Sequence, residues 1–91
     1  MPSRTVLVGS ASGLHARPAA LFVAEAAKQP VRVTIRTGDT TPVPARSMLA
    51  VLSLGAKKGT EVILEADGDG AQDAVDTLAD LLERDLDAAD A

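Results

Sequence analysis

The 91-residue chain lacks cysteine, tryptophan and tyrosine, and it contains one phenylalanine and one histidine. Without cysteine it has no disulfide framework, no thiolate zinc site and no cysteine nucleophile. One histidine cannot build a histidine-rich metal site, and Phe22 alone offers no series of rings on which bases could stack. We therefore expect no metal, no cofactor and no nucleic-acid partner.

Long apolar runs are also missing. No segment approaches the roughly 20 apolar residues that a helix needs to cross a bilayer, and no apolar signal region follows Met1. We expect a cytoplasmic protein that does not insert into a membrane. The length suits one domain over residues 1–91, which we expect to be a monomer, with residues 85–91 as a frayed acidic tail.

The charge is distributed unevenly. The net charge is −4, yet residues 1–60 hold eight Lys/Arg against two Asp/Glu, whereas residues 61–91 hold one Arg against eleven Asp/Glu. The part of the chain that contains the histidine, residues 1–60, is therefore locally basic. A basic region of this kind attracts anions and acidic partners.

The hydrophobic pattern predicts alternating strands and helices. Strands are predicted at 5–8, 31–36, 40–43 and 61–65, and helices at 16–28, 48–54 and from residue 71 onward. Pro42 and Pro44 indicate that the third strand is irregular or lies at an edge. The order β-α-β-β-α-β-α predicts an α+β fold: a two-layer open-faced β-sandwich, with a four-stranded antiparallel sheet covered on one face by three helices.

The histidine lies between the first predicted strand and the first predicted helix. Pro18 marks the helix start, because its missing N–H would have no partner in the first turn. His15 therefore lies at the helix N-terminus, where unpaired N–H groups favour an anion, and Arg17 adds donors suited to phosphate. Because both features disfavour the imidazolium, we expect the pKa of His15 to lie below its ordinary value. This combination suits a neutral histidine that carries a phosphoryl group.

A second segment, from Met48 to Leu54, is apolar on nearly all sides and follows Ser47, a good helix N-cap. A short helix in so small a domain cannot bury every face, so part of this surface is expected to stay exposed and to dock a partner. The sequence leaves open whether Met48, Leu49 and Leu52 belong to the core or to that docking surface.

Two motifs carry a resemblance to a known family. They are Gly13-Leu14-His15-Ala16-Arg17-Pro18-Ala19 and Ala45-Arg46-Ser47-Met48-Leu49-Ala50-Val51-Leu52-Ser53-Leu54-Gly55. Together they resemble the active-site and regulatory-serine segments of HPr, the histidine-containing phosphocarrier family of the bacterial sugar phosphotransferase system. The order of elements and the spacing of the motifs fit that family over essentially the whole chain.

The resemblance implies a carrier without turnover of its own. Enzyme I would phosphorylate His15, and His15 would pass the group to an enzyme IIA domain of a sugar permease. Arg17, with Ala16, would contact the phosphoryl group. Ser47 matches a serine that a dedicated HPr kinase phosphorylates in some bacteria, and the sequence leaves open whether it is regulatory or only a cap. The implied docking residues are Ala20, Met48, Leu49 and Leu52.

Two other functions stay open. A regulatory HPr paralogue, serving nitrogen or transcriptional control, would share the histidine motif. A small acyl-phosphate hydrolase would have a similar length and a mixed α+β sandwich. The glycine-rich segment from Gly9 to Gly13 lacks the Gly-Lys-Ser/Thr of a P-loop, however, and has no acid or amide beside it to hold a water.

Overall fold

Strands and helices follow one another in the predicted order. The computed structural model describes residues 2–9, 13, 16–38 and 40–84. The elements are β1 (Ser3–Leu7), α1 (Ala16–Ala27), β2 (Val33–Thr37), β3 (Val43–Pro44), α2 (Met48–Ser53), β4 (Glu61–Ala66) and α3 (Ala71–Glu83). The predicted acidic tail at 85–91 lies outside the described residues.

The four strands form one antiparallel sheet in the order β1-β4-β2-β3. In the central strand β4, Val62 and Leu64 are fully buried, whereas Glu61, the residue before Val62, is exposed. Side chains alternate between the two faces of a strand, so a period of two places one face against a core. This confirms the open-faced α+β sandwich.

The core lies between the sheet and the helices. The stripe on α1 is anchored by Phe22, and the stripe on α3 by Leu78 and Leu82, all three with no solvent exposure. Burying side chains of this size stabilises the fold by about 1.5–3 kcal/mol each. The predicted apolar faces of both helices are therefore the faces that cover the sheet.

The third strand is shorter and later than predicted. Thr40, expected in the strand, instead belongs to a turn, because its N–H donates to the Thr37 carbonyl and its hydroxyl accepts from the Thr37 N–H at 3.0 Å. Strand β3 then pairs Val43 and Pro44 with β2 at the edge of the sheet. An edge position tolerates Pro44, which has no N–H to donate.

Among the described residues, no helix combines the length and the apolar character that a membrane span needs.

Candidate functional site

Helix α1 begins at Ala16, so the sequence prediction that Pro18 lies in the first helical turn is confirmed. Pro18 is fully buried, whereas Arg17 is exposed. The first turn carries no acidic residue, so no carboxylate of the helix itself offsets the positive end of its dipole. His15 precedes Ala16 in the sequence and lies outside the described residues, as do the side-chain surroundings of Ala16.

The approach to α1 is fixed by a close backbone contact at Gly13. Its φ is +73°, a left-handed conformation that side-chain-bearing residues rarely adopt. A Cβ at this position would lie 2.5 Å from the Ala56 carbonyl oxygen and 2.7 Å from the Lys57 Cα. The residue two positions before His15 therefore lies directly on the connection between α2 and β4, and only glycine fits there.

That connection is itself held by a small hydrogen-bond network. The Lys57 N–H donates to the Thr60 hydroxyl at 3.0 Å, and the Thr60 N–H donates to the Lys57 carbonyl at 2.9 Å. Val8 then exchanges backbone hydrogen bonds with Thr60 and Gly59, at 3.0 and 2.8 Å. The end of β1 and the α2–β4 connection thus form one platform on which Gly13 lies.

Ser47 is the N-cap of α2, as predicted. Its backbone is extended (φ −98°, ψ 112°), and its hydroxyl accepts a hydrogen bond from the Ala50 N–H at 3.3 Å. The side chain is half-buried. A capping hydroxyl of this kind stabilises a protein by about 0.5–2 kcal/mol relative to alanine.

The structure decides which apolar residues of α2 face solvent. Val51 is fully buried and Met48 packs partly against the core, whereas Leu49 is 80% exposed and Leu52 is 37% exposed. Leu49 and Leu52 are therefore available for docking, and Met48 contributes to the core as well. The prediction that at least part of this helix is exposed is confirmed.

The neighbouring helix α1, which packs against α2, contributes further exposed apolar residues. Ala20, which the resemblance implies as a docking residue, is exposed, and Leu21 is 41% exposed. Leu21 was missed by the sequence analysis, although its position off the buried stripe of Ala19, Phe22 and Ala26 is a usable indication. We call the set Ala20, Leu21, Leu49 and Leu52 the apolar patch.

No group of three or more His, Cys, Asp or Glu side chains that could hold a metal occurs among the residues the structure describes. A cavity of about 630 Å³ is an open depression along β1. It is lined by Thr5 to Gly9, Lys58, Gly59, Glu61 and Glu83. Neither Arg17 nor the apolar patch lines it, whereas Val8 and Gly59, which support Gly13, do.

Comparison with known proteins gives a consistent result. A family-level profile described as "PTS HPr component phosphorylation site" matches residues 2–84. The phosphocarrier protein HPr of Streptomyces coelicolor is 52% identical over 90% of this chain and 88% of its own length. The HPr-like protein Crh of Bacillus subtilis is 42% identical over 87% of this chain and 92% of its own.

A solved structure agrees with the fold as well. The crystal structure of HPr from Thermoanaerobacter tengcongensis superimposes with a TM-score of 0.87 and 38% identity, over 96% of this chain and 97% of that one.

Proposed function

The chain belongs to the PTS HPr family of phosphocarriers, and on this premise we propose that His15 is its phosphoryl acceptor, charged by phospho-enzyme I. His15 then passes the group to an enzyme IIA domain of a sugar permease, and the protein has no turnover of its own. The observation that carries this proposal is the start of α1 at Ala16, immediately after His15, with the exposed Arg17 in its first turn.

The chemistry needs little more than positioning and charge. The imidazole Nδ1 of neutral His15 forms a bond to phosphorus while the bond between phosphorus and the donor atom of enzyme I breaks. The N–H groups at the helix N-terminus and the Arg17 side chain then stabilise the transferred dianion. Each helix-end interaction contributes about 0.3–1 kcal/mol when exposed. Such modest stabilisation suits a carrier, because the group must leave again.

The wild-type protein tests the proposal directly. Incubation with enzyme I and phosphoenolpyruvate should add one acid-labile phosphoryl group, measured by intact mass. Peptide mapping under mildly basic conditions should place it on the peptide that contains His15. An unmodified protein, or a group located elsewhere in the chain, would reject His15 as the acceptor.

Arg17 should contribute to transfer without contributing to the fold. A charge-assisted hydrogen bond is worth about 1.5–3 kcal/mol, so we expect Arg17→Ala to slow transfer by at least about tenfold. Stopped-flow or quench measurements of transfer from phospho-enzyme I provide the rate. Arg32→Ala is the control, since Arg32 is another exposed arginine that lies outside α1. Equal slowing by both variants would indicate a general charge effect.

We propose that the apolar patch, with Met48 beside it, docks enzyme I and enzyme IIA. Leu49→Asp should weaken partner binding by about 2 kcal/mol, or roughly 30-fold, because the contact would take a carboxylate out of water without a partner. Titration calorimetry with an enzyme IIA domain measures the effect. Leu7→Asp is the matched control, because Leu7 is 56% exposed but lies on β1. Loss of binding in both variants, or in neither, contradicts this docking surface.

We propose that Ser47 also regulates this surface, through phosphorylation by a serine kinase. A phosphate at the N-cap would be tolerated by α2 but would add negative charge beside Leu49. Ser47→Asp should therefore keep the thermal stability of Ser47→Asn, since both residues cap well, yet bind an acidic partner several-fold more weakly. Equal affinities of the two variants would leave Ser47 as a cap only.

The similarity to Crh supports one alternative, a regulatory HPr-like protein of the same family. The two functions differ in their partners. Transfer from the phosphorylated protein to a sugar-permease enzyme IIA favours the carrier, whereas transfer to nitrogen-type partners alone favours the alternative.

A further inference from the structure

Two adjacent lysines follow α2, and the structure places them differently. The Lys57 Cα lies so close to Gly13 that a Cβ on Gly13 would be 2.7 Å from it. Lys58, by contrast, lines the open depression along β1 together with Gly59 and Glu61. Both side chains are exposed. The two residues therefore carry the same charge, and the close backbone contact with Gly13 is made at Lys57.

The position of Lys57 does not depend on its own side chain. Its backbone is held by the hydrogen bonds with Thr60, and Gly13 is held by its close contact with Ala56 and Lys57. His15 follows Gly13 by two peptide units, which span at most about 7 Å. The flexible four-carbon stem of lysine lets the ammonium group cover a distance of this size.

We propose that Lys57 is a second positive group of the phosphoryl site, acting with Arg17 to favour the phosphorylated form of His15. This inference rests on the proposed function of His15 and adds to it a residue from a distant part of the chain. The positive charge then comes from two elements, with Arg17 on α1 and Lys57 on the α2–β4 connection. Neither the first motif nor the second contains Lys57.

Among the described residues, one acidic side chain on an element that packs near this end of the fold is partly compensated by a neighbour. Helix α3 approaches Gly9, where the segment between β1 and α1 begins, since the Gly9 N–H donates to the Leu82 carbonyl at 2.8 Å. This helix carries Glu83. The Glu83 carboxylate, however, lies 3.7 Å from the Arg4 guanidinium and is partly compensated by it.

The test compares Lys57→Gln with Lys58→Gln, which lose the same charge, and with Lys57→Arg, which keeps it. The first readout is the pKa of His15 in the unphosphorylated protein, followed by NMR of its ring protons at low ionic strength. Removing a nearby positive charge favours the imidazolium, so Lys57→Gln should raise the pKa by about 0.3 unit. Lys58→Gln should raise it by less than half as much, and Lys57→Arg should leave it unchanged.

The second readout is the equilibrium between the protein and phospho-enzyme I. Lys57→Gln should reduce the equilibrium constant for phosphorylation about threefold at low salt, and the reduction should shrink as salt screens the charge. Equal effects of the two Gln variants, or none, would overturn the role of Lys57. The pKa readout needs no enzyme I. A wild-type protein that accepts no phosphoryl group would therefore contradict the proposed function, whereas the pKa comparison tests the role of Lys57 independently.

Discussion

His15→Ala should abolish the acid-labile phosphoryl adduct completely, while the chain still folds. The reason is chemical, since His15 is the only imidazole in the sequence and no cysteine is present to replace it as a nucleophile. The measurement is intact mass after incubation with enzyme I and phosphoenolpyruvate, with circular dichroism to confirm the fold.

Two controls make this result specific. His15→Gln keeps a polar side chain of similar size but lacks the nucleophile, so it should fail in the same way. An acid-stable adduct at Ser47 is a different modification and should be unaffected by either variant. If an acid-labile group persisted in His15→Ala, the carrier mechanism built on this residue would be wrong.

Gly13→Ala should greatly lower both the thermal stability of the protein and the rate of phosphoryl transfer. Alanine at φ +73° costs about 1 kcal/mol or more, and a Cβ placed 2.5 Å from the Ala56 oxygen adds about 1–3 kcal/mol of overpacking. For a domain of this length we expect Tm to fall by roughly 10–20 °C. Relief of the overlap would displace the segment that bears His15, and misplacement by about 1 Å can cost 100-fold in rate.

Substitutions at two other glycines separate the cost of the positive φ from the cost of the overlap with Ala56. Gly55 has a φ of +63° but no atom within 4 Å of an added Cβ, so Gly55→Ala reports the conformational cost alone. Gly38 has neither a positive φ nor a nearby atom, so Gly38→Ala should be close to neutral. Thermal melts and transfer rates of the three variants give the comparison. A Gly13→Ala loss no larger than that of Gly55→Ala would contradict the tight contact with Ala56.

Much of the fold could be predicted because the relevant forces are local. The start of α1 near Pro18, the cap at Ser47 and the buried stripe that includes Phe22 depend on residues within one or two turns of each other. The same holds for β4, whose alternation follows from its own sequence. The motif around His15 could be recognised for the same reason, since its residues are consecutive.

Other features depended on contacts between residues far apart in the chain. Whether Leu49 is exposed and Val51 buried depends on where α1 and the core lie against α2. The position of β3 at the edge of the sheet depends on its pairing with β2, in which Pro44 lies opposite Thr34. Periodicity within a single segment carries no information about which partner it will meet.

Local patterning was therefore sufficient to indicate the element order, the α+β class and the histidine motif. The close approach of Lys57 to Gly13 and the composition of the apolar patch became visible only in the folded chain. They arise because an antiparallel sheet brings the ends of distant segments together. Such contacts depend on the packing of the whole molecule and not on residues that are neighbours in the sequence.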